Sequence, residues 1–295
     1  MQTRNKNVKT LVIFSLLVCA YSMSFAQDYY GGGPPPGGWR RRPNQQQQPR
    51  DKEDKGNPEP SGYSSVNFGF ANPEGAFASP FGSGYGGYAL PGSVLHISFA
   101  VPLGHSNFGL AFMFGSYNNE YDLNNYINYL SNSSTSNAYG PVTEGVNNVY
   151  SESSILGGLF VTIPIGRLSI DGRLMAGALL NSLPEQAYGK QDTAGNVSVY
   201  DLQTSYPTSL AFDVGIGVRC LIAKFGRRQV CAMVNVDYLY SNVSYNTTQE
   251  EDDTPYNSNP NNQVTYIYYN QVSGHLPISL FNITFGIGYQ FGGGE

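Results

Sequence analysis

Between Gly62 and Phe291 the chain alternates apolar and small polar residues in eight segments. The last is the clearest. Phe281, Ile283, Phe285, Ile287, Tyr289 and Phe291 take every second position, and Asn282, Thr284, Gly286, Gly288 and Gln290 fill the positions between. Successive side chains of a β-strand point to opposite faces, so one face of this segment is aromatic and aliphatic and the other small and polar. The eight segments are residues 64–71, 93–101, 107–117, 153–163, 168–180, 209–222, 230–241 and 278–291. Long connections (72–92, 118–152, 181–208, 242–277) alternate with short ones (102–106, 164–167, 223–229). This rhythm predicts an all-β fold, an eight-stranded antiparallel up-and-down transmembrane β-barrel with lipid on the apolar face and a lumen on the other. The short turns and both ends of the barrel are expected on the periplasmic side, the four long loops outside the cell.

The few charges inside the segments agree with that register. Val66, Phe68 and Phe70 fall on the outward face of the first strand, and Leu210, Phe212, Val214, Ile216 and Val218 on that of the sixth. Asp171, Arg173, Asp213, Arg219 and Asp237 all fall on the opposite face. A charge turned to lipid near mid-bilayer costs up to about 2–4 kcal/mol, so an inward placement is required if the segments span a membrane. With Asn235, Asn282 and His96 these residues are expected to form a polar network in the lumen, since buried charges are paired or hydrated. A gate in a narrow pore is the alternative. An eight-stranded barrel is only just wide enough to be filled by its own side chains.

Composition sharpens the picture. Charged residues make up 13% of the chain, against roughly 25% in soluble domains, while Gly (35), Tyr (23) and Phe (16) are abundant. The net charge of −5 gives no case for a nucleic-acid partner. Residues 1–26 read as a signal peptide: Arg4, Lys6 and Lys9 precede an apolar run, and Ser24 and Ala26 are small residues before a cleavage site. A lipoprotein reading through Cys19 is weakened by the bulky Val18 before it. Residues 27–61, rich in Pro, Gly and Gln, are expected to be a disordered periplasmic linker, and 292–295 a short tail after the barrel at 62–291. Arg40, Arg41 and Arg42 behind Trp39 give that linker a small basic patch. Cys220 and Cys231 fall on opposite faces, which argues against a disulfide between them.

These segments resemble the small outer-membrane β-barrel proteins of Gram-negative bacteria, the OmpX and OmpA-barrel type. More narrowly, they are similar to the porin-family barrels common in Bacteroidota. The resemblance covers about residues 62–291. Its most specific motif is the C-terminal assembly signal, a polar residue, then x-Gly-x-x-aromatic-x-aromatic, matched by Thr284, Gly286, Tyr289 and Phe291. It implies residence in the outer membrane, contact with its lipid and lipopolysaccharide, and the barrel assembly machinery as a partner during biogenesis.

The remaining candidate chemistry lies in the loops. Glu250, Glu251, Asp252 and Asp253 form an acidic run with oxygen ligands for a hard cation, but without the spacing of an EF-hand. The plainer expectation is a solvated run with no metal. Tyr117, Tyr121, Tyr126 and Tyr129, with Tyr266, Tyr268 and Tyr269, suit either contact with an extracellular glycan or protein ligand or an aromatic girdle. Residues 264–269 are expected to extend the last strand opposite 243–247. Asp192-Thr193-Ala194 resembles the short O-glycosylation motif of Bacteroidota. His275 lies near Ser273, but no spacing supports a catalytic triad, and Gly215-x-Gly217 and Gly286-x-Gly288 are strand glycines with no following helix to hold phosphate. No enzyme activity and no cofactor are therefore expected. The function anticipated is a binding or protective surface on the loops, with a narrow channel or a periplasmic anchor acting through 27–61 as alternatives.

Overall fold

A computed structural model of the chain describes residues 61–79, 87–133, 138–141, 148–203, 205–225, 228–254 and 265–291. The anticipated signal peptide, the linker up to residue 60 and the tail 292–295 lie outside them. Eleven strands follow in order: β1 (Gly62–Pro73), β2 (Gly92–Pro102), β3 (Phe108–Glu120), β4 (Ala138–Pro141), β5 (Val149–Ile165), β6 (Leu168–Ser182), β7 (Gln186–Gln191), β8 (Val197–Leu202), β9 (Thr208–Phe225), β10 (Arg228–Thr254) and β11 (Tyr266–Phe291). A one-turn helix, Gly75–Ala78, and a three-turn helix, Leu123–Ser133, interrupt them.

Eight strands close into a ring, β1-β2-β3-β5-β6-β9-β10-β11, with every neighbour antiparallel and β11 pairing back onto β1. The closing register sets Gly62 opposite Phe291, Ser64 opposite Tyr289 and Ala71 opposite Asn282. Closure removes the two sheet edges that would otherwise expose unpaired backbone groups, which is obligatory in lipid. At the short-turn end β5 passes to β6 through Gly166 and Arg167. Gly166 takes φ 61°, a left-handed conformation that tight hairpins need and that glycine adopts without a Cβ penalty.

The outer face of the ring is an apolar belt. Phe68 is 64% exposed, Leu174 61% and Ile287 66%, in company with Val66, Leu110, Leu159 and Ile216. On β10 the outward apolar series runs from Val230 to Tyr240 and then turns polar at Asn242 and Ser244. That matches the roughly 9–11 residues with which a tilted strand crosses a bilayer. So large a continuous apolar surface is far beyond what a soluble monomer exposes. None of the described helices is long and apolar enough to cross a membrane, and the strands do the crossing.

The long connections hold more structure than alternation alone suggests. β10 and β11 do not stop at the belt. They pair without a slip from Gln229↔Gln290 to Asp253↔Tyr266. This corrects one expectation: Tyr269 stands opposite Glu250, so the aromatic extension of β11 faces 250–253 and not 243–247. The far end of β10 also pairs with β8, β8 with β7, and β7 with β4, giving a small sheet built beside the mouth of the ring.

Candidate functional site

The bore of the ring is filled from all eight strands. Buried residues include Tyr63 and Asn67 on β1, His96 on β2, Met113 and Tyr117 on β3, and Phe160 on β5. Opposite them lie Met175 on β6, Arg219 on β9, Leu239 on β10 and Ile278 on β11. Near the short-turn end Arg219, 1% exposed, forms a two-point ion pair with Asp171: Nε donates to Oδ2 at 2.6 Å and Nη2 to Oδ1 at 3.0 Å. Nη2 also donates to Thr162 Oγ1 at 2.9 Å, and the guanidinium carbon sits 4.5 Å from the centre of the Tyr63 ring. A planar fork on a carboxylate, with a ring against the cation, is the geometry that best repays the desolvation of arginine.

A second pair joins β6 to β10 across the inner face of β9. Arg173 Nη2 donates to Asp237 Oδ1 at 2.7 Å, and His96 Nδ1 stands 3.8 Å from the other oxygen of that carboxylate. From His96 the contacts continue upward: Nε2 lies 3.1 Å from Tyr117 Oη, which is 3.3 Å from Ser154 Oγ. Asn235 Nδ2 donates to Asn67 Oδ1 at 3.3 Å and to Thr284 Oγ1 at 3.4 Å. Asp213 and Asn282 are buried on the same inner face, but neither joins the two ion pairs by a hydrogen bond among the described residues. The eight expected lumen residues thus share one bore and divide into two ion-pair centres, an amide cluster and two separate members.

Thr284, Gly286, Tyr289 and Phe291 occupy the closing strand. Thr284 faces the bore, Gly286 leaves the room that the Asn67 side chain occupies, and the rings of Tyr289 and Phe291 lie 6.3 Å apart at the rim. Cys220 is exposed, whereas Cys231 is buried and its thiol donates to the Gly288 carbonyl at 3.4 Å, so both are free. Glu250 to Asp253 lie on β10 between β8 and β11. Strand alternation sends Glu250 and Asp252 to one face and Glu251 and Asp253 to the other, so the run does not converge on one ion. Among the described residues no three His, Cys, Asp or Glu side chains come together as a metal site. Asp192-Thr193-Ala194 forms the β7–β8 turn. Its carboxylate accepts from the Ala194 and Asn196 amides at 2.9 Å each, and the bond from the Asn196 side chain, with these two, holds Asp192 below the usual carboxylate range. Ser244 Oγ, and not Ser273, lies 2.9 Å from His275 Nδ1.

The feature that strand alternation does not reveal stands over the mouth. The one-turn helix places Phe77, fully buried, against Tyr150, with ring centres 4.9 Å apart. From Tyr150 the rings continue: Tyr121 edge to face at 6.0 Å, then Tyr126 tilted at 6.3 Å, then Tyr188 edge to face at 5.8 Å. Tyr188 stacks on Tyr200 at 5.1 Å and 20°, its cross-strand partner between β7 and β8. Beside this series is a cavity of 270 Å³, floored by Leu276 and Tyr150 and walled by the Leu123–Ser133 helix, the β7–β8 hairpin and the upper part of β10. Gln186, Gln203 and Gln249 join the tyrosines in its lining, and among the described residues no charged one does.

The sequence carries signals for this tier. Leu123, Tyr126, Ile127 and Leu130 recur at helical spacing, after an Asp122 whose carboxylate caps the Asn125 amide at 3.0 Å. Of the cavity tyrosines, Tyr121, Tyr126 and Tyr129 stand out in the sequence, while Tyr88, Tyr150, Tyr188, Tyr200 and Tyr245 do not. Tyr117, grouped with the loop tyrosines on sequence, belongs to the bore, and Tyr266, Tyr268 and Tyr269 stand exposed on the far hairpin.

Burial pushes the Tyr88 and Tyr200 hydroxyls up from 10 to about 12, and raises Tyr121 and Tyr126 as well. A folded-state value above the unfolded one means the folded protein holds its phenolic protons longer. The stability of this tier is therefore intact below pH 10 and declines as pH rises toward about 12. An alkaline spectrophotometric titration is expected to show a late, cooperative group of tyrosinates whose appearance coincides with loss of near-UV circular dichroism. A single phenolic transition near 10 with no loss of structure would contradict the packing described.

No family model matches the chain, and no curated protein matches it. Among solved structures it is similar to a major outer membrane protein from Thermus thermophilus, at 12% identity, covering 78% of this chain and 99% of that chain, with a TM-score of 0.33. The class of the protein follows from its own geometry. A closed antiparallel ring of eight strands, lipid-facing without and packed within, is a membrane-spanning β-barrel.

Proposed function

We propose that the protein is an outer-membrane β-barrel of the small OmpX and OmpA-barrel type, related to the porin-family barrels of Bacteroidota, and that it works as a non-enzymatic binding protein through the tier above its mouth. The observation that carries this reading is the pairing of a bore packed with side chains and a cavity held over it by a helix and a side sheet. A packed bore argues against solute conduction, and ordered loops over the mouth are a costly arrangement unless they hold something. The long-connection end then faces outside the cell, and the short turns and both barrel ends face the periplasm, as the signal peptide reading and the short–long alternation favour. Lipid and lipopolysaccharide surround the belt, and the assembly machinery reads Thr284, Gly286, Tyr289 and Phe291 during insertion.

Two measurements test the reading together. In planar bilayers the purified protein is expected to leave the membrane closed, and on intact cells protease is expected to cut within the β10–β11 hairpin and to spare residues 27–61. Steady single-channel current that Arg219→Ala alters would replace binding with conduction, and the reverse cleavage pattern would overturn the orientation.

A further inference from the structure

Resting on the reading that the tier above the mouth binds a ligand, we propose that the 270 Å³ cavity is a subsite for a neutral saccharide. Several observations converge on that chemistry. Among the described residues no charged side chain lines it, and the nearby Glu251 carboxylate, hydrogen-bonded to the Tyr200 hydroxyl, is negative, so an anionic ligand would be desolvated there without a partner. It combines aromatic rings with glutamine amides at Gln186, Gln203 and Gln249. Sugar rings present the same pair of surfaces: C–H faces that lie on aromatic rings, and hydroxyls that both donate and accept. A primary amide offers two donors and an acceptor and so meets a hydroxyl in either role.

A purely apolar ligand fits less well. It would bury those amides and phenols without replacing their hydrogen bonds to water, at the full cost of unsatisfied polar groups. The volume sits just under the roughly 300–1,000 Å³ of small-molecule sites, which suits one or two sugar rings. The walls are also preorganised. Tyr188 and Tyr200 are cross-strand partners in a paired hairpin, Tyr126 and Tyr129 ride on a helix, and Gln249 is held in β10 between two strands. Rings fixed before binding lose little freedom on binding. Tyr129 and Gln203 are exposed at the edge of the cavity, so a ligand can enter from solvent.

The test uses the full-length protein in nanodiscs. Saturation-transfer NMR and tyrosine fluorescence are recorded with glucose, galactose, mannose, N-acetylglucosamine, maltose and cellobiose, with glucuronate as a charged comparison and a blocked Phe-Gly-Phe tripeptide as a peptide comparison. At least one neutral sugar is expected to bind with a Kd in the millimolar range or tighter, and Gln186→Ala and Tyr188→Ala are each expected to weaken it about tenfold. Tyr188→Phe keeps the ring and is expected to retain most of the binding. The folded gel mobility of each variant shows that the barrel is intact. Silence of all neutral sugars up to about 50 mM, or binding that neither variant alters, overturns the proposal. Tripeptide binding that Tyr188→Ala abolishes, with the sugars silent, overturns the saccharide while leaving a ligand-binding tier. Silence of every probe together with channel current overturns both.

Discussion

Replacing Arg219 with alanine is expected to remove most of the stability of the short-turn half of the bore. The guanidinium is held by two oxygens of Asp171, by Thr162 and by the face of Tyr63, and all of these groups are buried. Taking away one partner of a buried pair strands the other charge in a low-dielectric site, at a cost of about 3–5 kcal/mol. The prediction separates two ideas about why the pair is there. If Asp171 and Arg219 act as a unit, Arg219→Ala and Asp171→Ala should each be severe, while Arg219→Met combined with Asp171→Leu should be milder than either. Urea unfolding followed by the mobility difference between folded and unfolded barrel on a gel measures all three. Equal loss in the double variant would mean that the hydrogen bonds to Thr162 and the Ser61 carbonyl, rather than charge compensation, dominate this centre.

Leu174→Arg is expected to have the next largest effect, through the opposite face of a strand that also carries Arg173. Leu174 is in the middle of β6, 61% exposed, opposite Leu159 on one side and Val214 on the other. A cation there faces the centre of the lipid and costs about 2–4 kcal/mol. The same chemical group one residue earlier is accommodated because it points at Asp237. The measurement is the same unfolding assay in bilayers, compared with a positive charge placed at Ser153, near the polar edge of the belt. A loss at Leu174 no greater than at Ser153 would contradict the position assigned to the membrane.

These two expectations mark what strand alternation makes legible. Period two fixes which face a residue uses, and it places Asp171, Arg173, Asp213, Arg219 and Asp237 inside without any knowledge of pairing. It does not fix the stagger between strands, and partners depend on stagger. Arg219 meets Asp171 because β6 and β9 are offset so that Ser169 lies opposite Arg219, and Arg173 reaches past β9 to Asp237 on β10. The tier above the mouth is less legible for a different reason. Its helix is short, its strands β4, β7 and β8 hold only four to six residues each, and their rings pack across the tier, Tyr126 against Tyr88, Tyr121 and Tyr188, and Tyr139 against Tyr188. Short elements of this kind owe their structure to tertiary contact more than to local preference. The long reach of β10 to Thr254 follows the same logic: past Tyr240 its outward residues no longer signal lipid, and pairing with β8 and β11 keeps it extended.

The pairing of Gly62 with Phe291 also has a kinetic meaning. The first and last strands of the ring are joined edge to edge, so the contact that completes the fold has almost the largest sequence separation the described chain allows. Such topologies pay their loop-closure entropy late and are slow to form, with β1 and β10 left as open edges until β11 arrives. Until then the apolar belt and both edges are exposed together, the condition in which chains aggregate. β11, which carries the aromatic pair Tyr289 and Phe291, is thus the strand that closes both remaining edges at once.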